Sequence, residues 1–371
     1  MKKNILYLIN TPDIKGGGEI SLLNLLKKLD KKIYNPIAAC PSEGDMSLAI
    51  RDMNIDVEIV SMRRLLYLNL YSLVTGIWKL IRVINAHKID VIHANGSRCM
   101  IYGGIAGKIK RIPVIWHVRI VEKDNLLDRI LSMLADRIIV ISNSVRDRFN
   151  WLKKKEKISV IYNGIDIDDF TRDINTDKIR KELSIAEAEI VIGTVAQLIP
   201  MKGHKYLIEA AKIVLEKIKN VKFIITGSSQ GNNSYEMELK NMVKNYGLED
   251  KIIFTGYRKD IKNIIALIDI FVFSAIGEGF GRVLIEAMTL QKPIVAANSG
   301  GIPEIVVDGE TGLLVPEKDP HSIASAVIRF INEKDTREKM GMAGRKRVEE
   351  MFTIERHTRD VENLYSEVLK G

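Results

Sequence analysis

The sequence contains very little cysteine: its 371 residues include only Cys40 and Cys99, which lie far apart. Two isolated cysteines exclude a disulfide framework and the paired spacing of a structural zinc site. Low cysteine content is typical of proteins in a reducing compartment, so we expect a cytoplasmic protein.

Long hydrophobic runs are also missing. The longest apolar stretch, Leu65–Trp78, has 14 residues and is interrupted by polar residues and a glycine, whereas a membrane-spanning helix needs about 20 residues. At the N-terminus, Lys2 and Lys3 precede the apolar run Ile5–Ile9, which is too short for the apolar region of a signal peptide. We therefore predict neither a transmembrane helix nor a signal peptide.

Two nucleotide-binding fingerprints are absent. The glycines Gly16–Gly18 follow the first predicted strand, but Leu22 and Leu23 come next, so Gly-x-Gly-x-x-Gly is not formed. The sequence also contains no Gly-Lys-Ser/Thr segment. These absences disfavour a nicotinamide-dependent dehydrogenase and a P-loop NTPase.

Positive charge is abundant but confined to the first half of the chain. Residues 1–163 contain 27 Lys and Arg against 15 Asp and Glu, whereas residues 164–371 contain 29 against 32, so the net charges are +12 and −3. A basic half favours an anionic partner such as nucleic acid, a membrane surface or a phosphorylated substrate. No nucleic-acid-binding motif accompanies the charge, so we expect no nucleic acid partner.

Short β-rich runs alternate with longer helical patterns along the whole chain. The strand runs are continuously apolar, which is typical of parallel strands buried on both faces. The predicted strands are 5–9, 36–39, 57–60, 89–93, 113–117, 137–141, 158–161, 190–196, 222–226, 252–255, 270–274 and 293–297. The predicted helices include 20–29, 70–86, 126–135, 143–151, 204–218, 235–246, 261–268, 282–290, 320–332, 336–351 and 354–369. This alternation predicts an α/β fold with two doubly wound, Rossmann-like sheets.

The two series of elements are separated near Asn163-Gly164, which is a turn signal after a strand. The polar stretch Asp166–Glu189 follows it. We therefore predict a first domain over residues 1–164 and a second over residues 165–353. Ligands of such folds bind at the carboxyl ends of the strands, so we expect a binding cleft between the two domains.

The segment from Glu278 to Glu286 carries the strongest chemical signal. Glu278 lies in a glycine-flanked loop after a strand, and Glu286 lies about one turn into the next helix, so we expect both carboxylates to face the mouth of the cleft. Two carboxylates without basic neighbours suit hydroxyl-rich ligands, because their oxygens accept hydrogen bonds from sugar or ribose hydroxyls. The alternative is a helix-start glutamate that complements the helix dipole, together with an exposed surface glutamate.

Two other loops are candidates for phosphate contact. Gly16–Gly18 open a helix whose N-terminus favours an anion, although such a turn can serve only to reverse the chain. Lys202 precedes Gly203 at the mouth of a helix, where it either shares a diphosphate with the helix dipole or remains a solvated lysine.

The sequence Asp166-Ile-Asp168-Asp169 contains an Asp-x-Asp pattern of the kind that can hold a metal ion. It follows the Asn-Gly turn rather than a buried strand. We interpret it as a helix start or linker feature, and we predict no metal.

Together these segments resemble retaining glycosyltransferases of family 4. Glu278 and Glu286, with seven residues between them, match the two-glutamate motif of that family. The resemblance covers essentially the whole chain and is most specific from Phe271 to Pro316. Further matching segments are Glu286-Ala-Met-Thr-Leu-Gln-Lys-Pro-Ile-Val-Ala, Gly300-Gly-Ile-Pro-Glu-Ile-Val, Asp308-Gly-Glu-Thr-Gly-Leu-Leu-Val-Pro, Gly17-Gly18-Glu19, His117, Tyr162-Asn-Gly-Ile-Asp166 and Met201-Lys-Gly-His204.

The resemblance implies a GT-B-type fold, with an acceptor-binding first domain and a second domain that binds the nucleotide-sugar donor. It also implies that the C-terminal helix, residues 354–371, packs back on the first domain. In the site, Lys202 is expected to hold the donor diphosphate, Glu286 the ribose hydroxyls and Glu278 the donor sugar. His117 is expected near the reaction centre, the alternative being a residue packed in the core. Arg119 and Glu19 are expected on the acceptor side, the alternative for Arg119 being a surface salt bridge. The other donor-site residues that it implies are Gly17, Gly18, Gln197, Gly256, Tyr257, Arg258, Gly279, Phe280, Gly281 and Arg282.

The chain departs from the family pattern at Gln197. Many members carry an arginine about five residues before the lysine, as a second diphosphate ligand. Glutamine donates hydrogen bonds without charge, so either Arg258 or Arg282 compensates or Lys202 acts alone. For His93, which ends another predicted strand, we expect only a packing role.

Two segments concentrate the positive charge of the first half. Arg63–Tyr71, with Trp78, Lys79 and Arg82, mixes cations with aromatic and aliphatic residues, and Trp151–Lys157 is a short cationic run. Such segments can lie on an anionic membrane surface. The alternative is an amphipathic helix that covers the sheet and exposes solvated lysines.

We therefore expect a cytoplasmic, metal-independent, retaining glycosyltransferase without a cofactor, either free or peripheral on the inner face of the membrane. It would transfer a hexosyl-type group from a UDP- or GDP-linked sugar to a glycan or lipid-linked acceptor in cell-surface polysaccharide or glycolipid synthesis. The alternatives are a nucleotide-sugar epimerase of the same fold and a non-catalytic protein that binds sugar nucleotides.

Overall fold

The computed structural model describes residues 2–14, 16–63, 69–229, 231 and 233–370. Arg64–Leu68, which belong to the first basic segment, lie outside the described residues. The chain forms two compact units: Met1–Gly164 with Ile354–Gly371, and Ile165–Thr353.

In its described residues, the first unit has a parallel sheet of seven strands in the order β3-β2-β1-β4-β5-β6-β7. The strands are β1 (Lys3–Leu8), β2 (Tyr34–Cys40), β3 (Asp56–Ile59), β4 (Val91–Asn95), β5 (Val114–Val118), β6 (Arg137–Val140) and β7 (Ile158–Val160). β2 and β3 lie on one side of β1, and β4 to β7 lie on its other side. The direction in which strands are added therefore reverses between β1 and β4. Such a switch point is where doubly wound sheets bind ligands.

Helices connect these strands and cover both faces of the sheet. They are α1 (Gly17–Lys28), α2 (Asp45–Arg51), α3 (Leu70–Ala86), α4 (Ser97–Lys110), α5 (Asn125–Leu134) and α6 (Asn143–Arg146). Side-chain caps fix where two of them begin. Asn69 Oδ1 accepts a hydrogen bond from Ser72 N over 2.7 Å at the start of α3, and Asp124 Oδ1 accepts one from Leu127 N over 3.1 Å at the start of α5.

The described part of the second unit repeats the scheme with six parallel strands in the order β10-β9-β8-β11-β12-β13. The strands are β8 (Ile190–Val195), β9 (Val221–Thr226), β10 (Ile252–Gly256), β11 (Ile270–Phe273), β12 (Ile294–Ala297) and β13 (Leu313–Val315). The helices are α7 (Ile167–Thr171), α8 (Thr176–Glu182), α9 (His204–Lys217), α10 (Ser234–Asn245), α11 (Ile261–Leu267), α12 (Arg282–Thr289), α13 (Ile302–Ile305), α14 (Pro320–Asn332) and α15 (Lys334–Met351). Here the strand order reverses between β8 and β11.

The last helix, α16 (Ile354–Lys370), belongs to the first unit and packs against α1. Val361, Leu364 and Tyr365 join the buried core on that face of the sheet. Glu362 Oε1 accepts a hydrogen bond from Asp30 N over 2.7 Å, which fastens the helix to the end of α1.

The two Rossmann-like α/β sheets confirm the predicted fold class. The predicted helix over 143–151 is wrong, since α6 ends at Arg146 and a short 3-10 turn buries Phe149. The sequence did not reveal α4, because small and apolar residues occupy all its sides and most are buried. A Cβ atom on Gly107 would lie 2.2 Å from Val114 Cγ2, so close packing on β5 requires glycine there.

Within the described residues, no helix is long and apolar enough to span a membrane.

Candidate active site

The switch point of the second sheet brings together the loops that follow β8 and β11. Ile276 N donates to Met201 O over 2.7 Å, and Ser274 Oγ donates to Gly203 O over 3.0 Å. Gly203 has a φ of +67°, and a Cβ there would lie 2.1 Å from Ser274 O. The loops can approach this closely only because this position is glycine.

A third loop, after β12, joins the same edge. Gly301 N donates to Glu278 O over 2.7 Å, and Gly277 N donates to Ser299 Oγ over 2.6 Å. Gly300 has a φ of +54°, and a Cβ there would lie 2.1 Å from Glu278 O. The loop after β12 therefore fixes the backbone of Glu278 and of its neighbour Gly277.

Lys202 and Glu278 meet at this edge. Lys202 Nζ donates to Glu278 Oε2 in a close ion pair, and the two side chains are 24% and 18% exposed. The Lys202 ammonium also lies 5.8 Å from the centre of the Phe273 ring. Both side chains remain partly open to solvent, so a ligand can replace the ion pair. An anionic group would then bind the lysine, and hydroxyl groups would bind the carboxylate.

Glu286 lies on α12, the helix that follows the Glu278 loop. It is buried and forms an ion pair with Arg282, four residues earlier on the same helix, whose side chain is 14% exposed. Burial raises the pKa of the Glu286 carboxyl, and the Arg282 charge opposes that shift. The expectation that Glu278 and Glu286 have no basic neighbours is therefore wrong, because Lys202 and Arg282 each pair with one of them. The i,i+4 spacing of Arg282 and Glu286 was the signal for the second pair.

The residues between the two glutamates form the end of the loop and the first turn of α12. Gly281 has a φ of +86° immediately before the helix. Phe280 is buried, and its ring centre lies 5.8 Å from that of Phe352. The Phe280 side chain therefore anchors the loop in the core, which leaves the backbone of Gly279–Gly281 to line the edge.

Neither arginine considered as a substitute at Gln197 is directed to Lys202. Arg258 forms ion pairs with Glu182 and with Asp260, and Arg282 pairs with Glu286. Gly256 has a φ of +69° at the end of β10, and the Tyr257 side chain is exposed. Gln197 is half-buried, and its backbone carbonyl oxygen lies 3.0 Å from His204 Nε2.

In the first unit, polar residues meet at the carboxyl edge of the sheet beside the start of α1. Arg119 Nη1 donates to Asn163 Oδ1 over 2.9 Å and to Ser21 Oγ over 3.2 Å. A Cβ on Gly18 would lie 3.2 Å from Arg119 Cδ. Ser21 and Asn163 are buried participants that sequence reasoning missed.

Of the other residues predicted at this edge, Gly17 begins α1 and is exposed, and Glu19 is half-buried in the first turn of the helix. His117 is fully buried on β5. Its Nδ1 lies 3.0 Å from His93 Nε2 and 3.4 Å from Arg119 Nη2. Burial, reinforced by the Arg119 charge, holds the pKa of His117 well below its usual value, so the ring is neutral at physiological pH.

Asp166 acts as the cap of α7, since its Oδ1 accepts a hydrogen bond from Asp169 N over 3.2 Å. The interpretation of the Asp-x-Asp sequence as a helix start is confirmed. Among the described residues, no group of three or more His, Cys, Asp or Glu side chains is arranged to hold a metal ion.

Two family models match the chain. The model of Glycosyltransferase Family 4 matches residues 15–169, and that of Glycosyl transferases group 1 matches residues 175–347. The capsular polysaccharide biosynthesis glycosyltransferase CapM of Staphylococcus aureus is 30% identical over 319 residues, which cover 81% of this chain and 83% of CapM.

Two further proteins extend the comparison. The UDP-Gal:alpha-D-GlcNAc-diphosphoundecaprenol alpha-1,3-galactosyltransferase of Escherichia coli is 26% identical over 311 residues, with 78% of each chain covered. The crystal structure of HepE (Alr3699) of Anabaena in complex with UDP-glucose superposes with a TM-score of 0.86 at 26% identity, and covers 98% of this chain and 99% of HepE.

Two Rossmann-like units, each with a parallel sheet, are the architecture of a GT-B glycosyltransferase. The chain belongs to glycosyltransferase family 4.

Proposed function

We propose that the protein is a metal-independent, retaining hexosyltransferase. It takes a hexosyl group from a UDP-linked sugar, with GDP as the alternative carrier, and transfers it to a glycan or lipid-linked acceptor. The observation that carries the proposal is the pairing of Lys202 with Glu278 where the second sheet reverses its strand order. A cation for a diphosphate and a carboxylate for sugar hydroxyls stand there side by side.

In the proposed donor site, the diphosphate replaces Glu278 as the partner of the Lys202 ammonium. The released Glu278 carboxylate accepts hydrogen bonds from hydroxyls of the donor sugar. The backbone N–H groups of Gly279–Gly281 supply donors to the same ligand at the start of α12. Glu286, held in place by Arg282, accepts hydrogen bonds from the ribose hydroxyls.

The proposed reaction breaks the bond between the anomeric carbon and the diphosphate oxygen and forms a bond to an acceptor hydroxyl oxygen on the same face. The leaving diphosphate takes the acceptor proton. Lys202 stabilises the negative charge that develops on the diphosphate, and such electrostatic stabilisation is commonly a large part of catalysis.

The relatives favour particular substrates. HepE was crystallised with UDP-glucose, and the E. coli relative is named as a UDP-galactose enzyme acting on a diphosphoundecaprenol-linked sugar. CapM is named for capsular polysaccharide biosynthesis. By analogy, we propose a UDP-hexose donor, a glycan or lipid-linked acceptor and a place in cell-surface polysaccharide or glycolipid synthesis.

A screen of nucleotide sugars by thermal shift tests the donor assignment. A UDP-hexose present at 100 times its Kd is expected to stabilise the protein by about 2.7 kcal/mol. The corresponding rise in Tm should be lost in Lys202→Ala. If no UDP- or GDP-linked sugar raises the Tm of the wild type, the donor site is wrongly assigned.

Incubation with donor alone tests the alternative of a nucleotide-sugar epimerase. That alternative is excluded if no epimer of the sugar is formed.

We also propose that the first unit docks on an anionic membrane surface on the cytoplasmic side. Leu70, Val74 and Trp78 follow one another at four-residue intervals on α3 and are 77%, 55% and 51% exposed. Leu126, Ile130 and Met133 form a similar exposed row on α5. We call these two sets of residues the apolar rows. The helices that carry them, α3 and α5, both pack against α4.

Cations accompany the apolar rows. The Arg82 guanidinium carbon lies 3.5 Å from the centre of the Trp78 ring. Arg63 and Lys79 line one surface pocket together with the exposed ring of Tyr71. Apolar side chains that enter the acyl boundary, with cations at the level of the headgroups, are the features of a surface-bound amphipathic helix.

Co-sedimentation with vesicles of equal parts phosphatidylglycerol and phosphatidylcholine tests this docking at low salt. We expect the wild type to bind, and Val74→Asp and Leu126→Asp to bind at least about tenfold more weakly. Met342→Asp is the matched control, because Met342 is 57% exposed on α15 of the other unit. Equal sedimentation of all the variants, or no binding by the wild type, would contradict the proposal.

A further inference from the structure

A chain of hydrogen-bonded rings runs through the core of the first unit behind His117. His93 Nε2 lies 3.0 Å from His117 Nδ1, His93 Nδ1 lies 2.6 Å from Tyr365 Oη, and Tyr365 Oη lies 2.9 Å from Tyr7 Oη. All four side chains have no exposed surface. Fully buried polar side chains in one continuous chain constrain one another's hydrogens more strictly than groups open to water do.

The two imidazoles are coupled by this geometry. A neutral imidazole has one N–H group and one nitrogen lone pair. The facing nitrogens of His93 and His117 form a hydrogen bond only when one of them carries a proton and the other does not. The tautomers of His93 and His117 are therefore linked. The Tyr365 hydroxyl bonds the other nitrogen of His93 and acts on the pair from one end, and Arg119 Nη2, 3.4 Å from His117 Nδ1, acts on it from the other.

Both rings are held neutral. Burial lowers the pKa of His93 to about 3, and burial together with the Arg119 charge holds that of His117 well below its usual range. His357 also faces this group and adds to the same effect. Because neither ring is an imidazolium at physiological pH, each retains distinct donor and acceptor nitrogens.

His93 engages Nδ1 of His117 and leaves Nε2 for another molecule. Nε2 of His117 is buried and has no hydrogen-bond partner among the described residues. A buried nitrogen without a partner is costly, and such atoms in a native fold call for an explanation. A ligand hydroxyl would satisfy it.

We propose that Tyr365 and His93 are positioning residues that hold His117 in one neutral tautomer, so that Nε2 offers one fixed hydrogen-bonding group to a hydroxyl of the substrate. The inference deepens the proposed function and rests on it for the identity of the substrate as a sugar. It gives α16 a part in the site beyond packing, because Tyr365 comes from that last helix.

Nitrogen NMR of histidine-labelled protein tests the relay without any substrate. In the wild type at pH 7, we expect His93 and His117 each to show one protonated and one unprotonated nitrogen. In Tyr365→Phe, the ring remains but the hydroxyl is lost, and we expect the two nitrogen shifts of each histidine to move toward their average. Tyr34→Phe is the matched control, since the Tyr34 hydroxyl contacts Glu362 O and Ser366 Oγ of the same helix.

Steady-state kinetics then test the functional half of the proposal. Tyr365→Phe is expected to lower kcat about fivefold while the KM for the donor stays within about twofold. In a His117→Ala background, the same substitution should change kcat by less than about 1.5-fold, because the relay would have nothing left to position.

Three results would overturn the proposal. These are averaged tautomers in the wild type, an unchanged spectrum in Tyr365→Phe, and an equal loss of kcat with and without His117. A wild type that transfers no sugar would refute the proposed function instead, and the NMR experiment would still decide whether the relay exists.

Discussion

Lys202→Ala is expected to lower kcat at least about tenfold, which corresponds to about 1.4 kcal/mol of activation free energy. The substitution removes the ammonium proposed to stabilise the leaving diphosphate. It also leaves the Glu278 carboxylate without the cation that pairs with it. A diphosphate would then approach an uncompensated negative charge, so we expect the KM for the donor to rise as well.

Lys205→Ala is the control for general loss of positive charge at this edge. Lys205 lies on the first turn of α9, three residues from Lys202, but its ammonium lies over the Tyr206 ring, 4.9 Å from the ring centre. Its removal should leave kcat within about twofold. Glu278→Ala is expected to cost at least about tenfold in kcat, as Lys202→Ala does. Turnover close to that of the wild type in both site variants would refute the assignment.

Asp128→Ala is expected to destabilise the first unit by about 3–5 kcal/mol. Asp128 on α5 and Arg148 form an ion pair whose side chains are 0% and 2% exposed, and Arg148 Nε donates to Asp128 Oδ2 over 2.8 Å. Without the carboxylate, a guanidinium would remain buried beside the rings of Trp116 and Phe149. An uncompensated buried cation costs much more than the pair itself contributes.

Calorimetric unfolding checks this prediction, with Glu355→Ala as the control. Glu355 pairs with Lys28 in the same unit, but its side chain is 63% exposed, so we expect a loss below about 1 kcal/mol. The double variant Asp128→Leu/Arg148→Met should be more stable than Asp128→Ala, because it leaves no buried charge. If the double variant is the less stable of the two, the electrostatic explanation fails.

Most of the fold could be predicted because parallel strands buried on both faces produce continuous apolar runs, and amphipathic helices separate them. Two of the elements that escaped prediction lack those patterns. β13 has only three residues, and α4 is buried on most sides, so neither has a periodic signal. Strand neighbours that follow from the whole topology, such as β8 beside β11, cannot be derived from local pattern.

The site could be predicted in part. Lys202 and Glu278 follow strands whose carboxyl ends lie at one sheet edge, and this made both of them candidates. Their direct pairing across 76 residues depends on the close approach of backbone at Gly203 and Gly300. The ion pair of Arg258 with Glu182 was less predictable, because Glu182 lies on α8, before the first strand of the second sheet.

The contact of His93 with His117 could have been predicted from the sequence, but its contact with Tyr365 could not. The predicted strands 89–93 and 113–117 both end in histidine, so neighbouring strands would have placed His93 beside His117. The packing role assigned to His93 overlooked that signal. The resemblance placed the last helix on the first domain, but it did not indicate that Tyr365 would contact His93, which lies 272 residues earlier in the chain.

The most direct test of the central claim is a transfer reaction followed by proton NMR. The protein would be incubated in EDTA with the α-linked UDP-hexose that the thermal shift screen identifies and with a lipid-linked sugar acceptor. The account predicts release of UDP and a product in which the transferred sugar keeps the α configuration of the donor. A β-linked product, a requirement for added metal, or epimerised donor in place of transfer would contradict it.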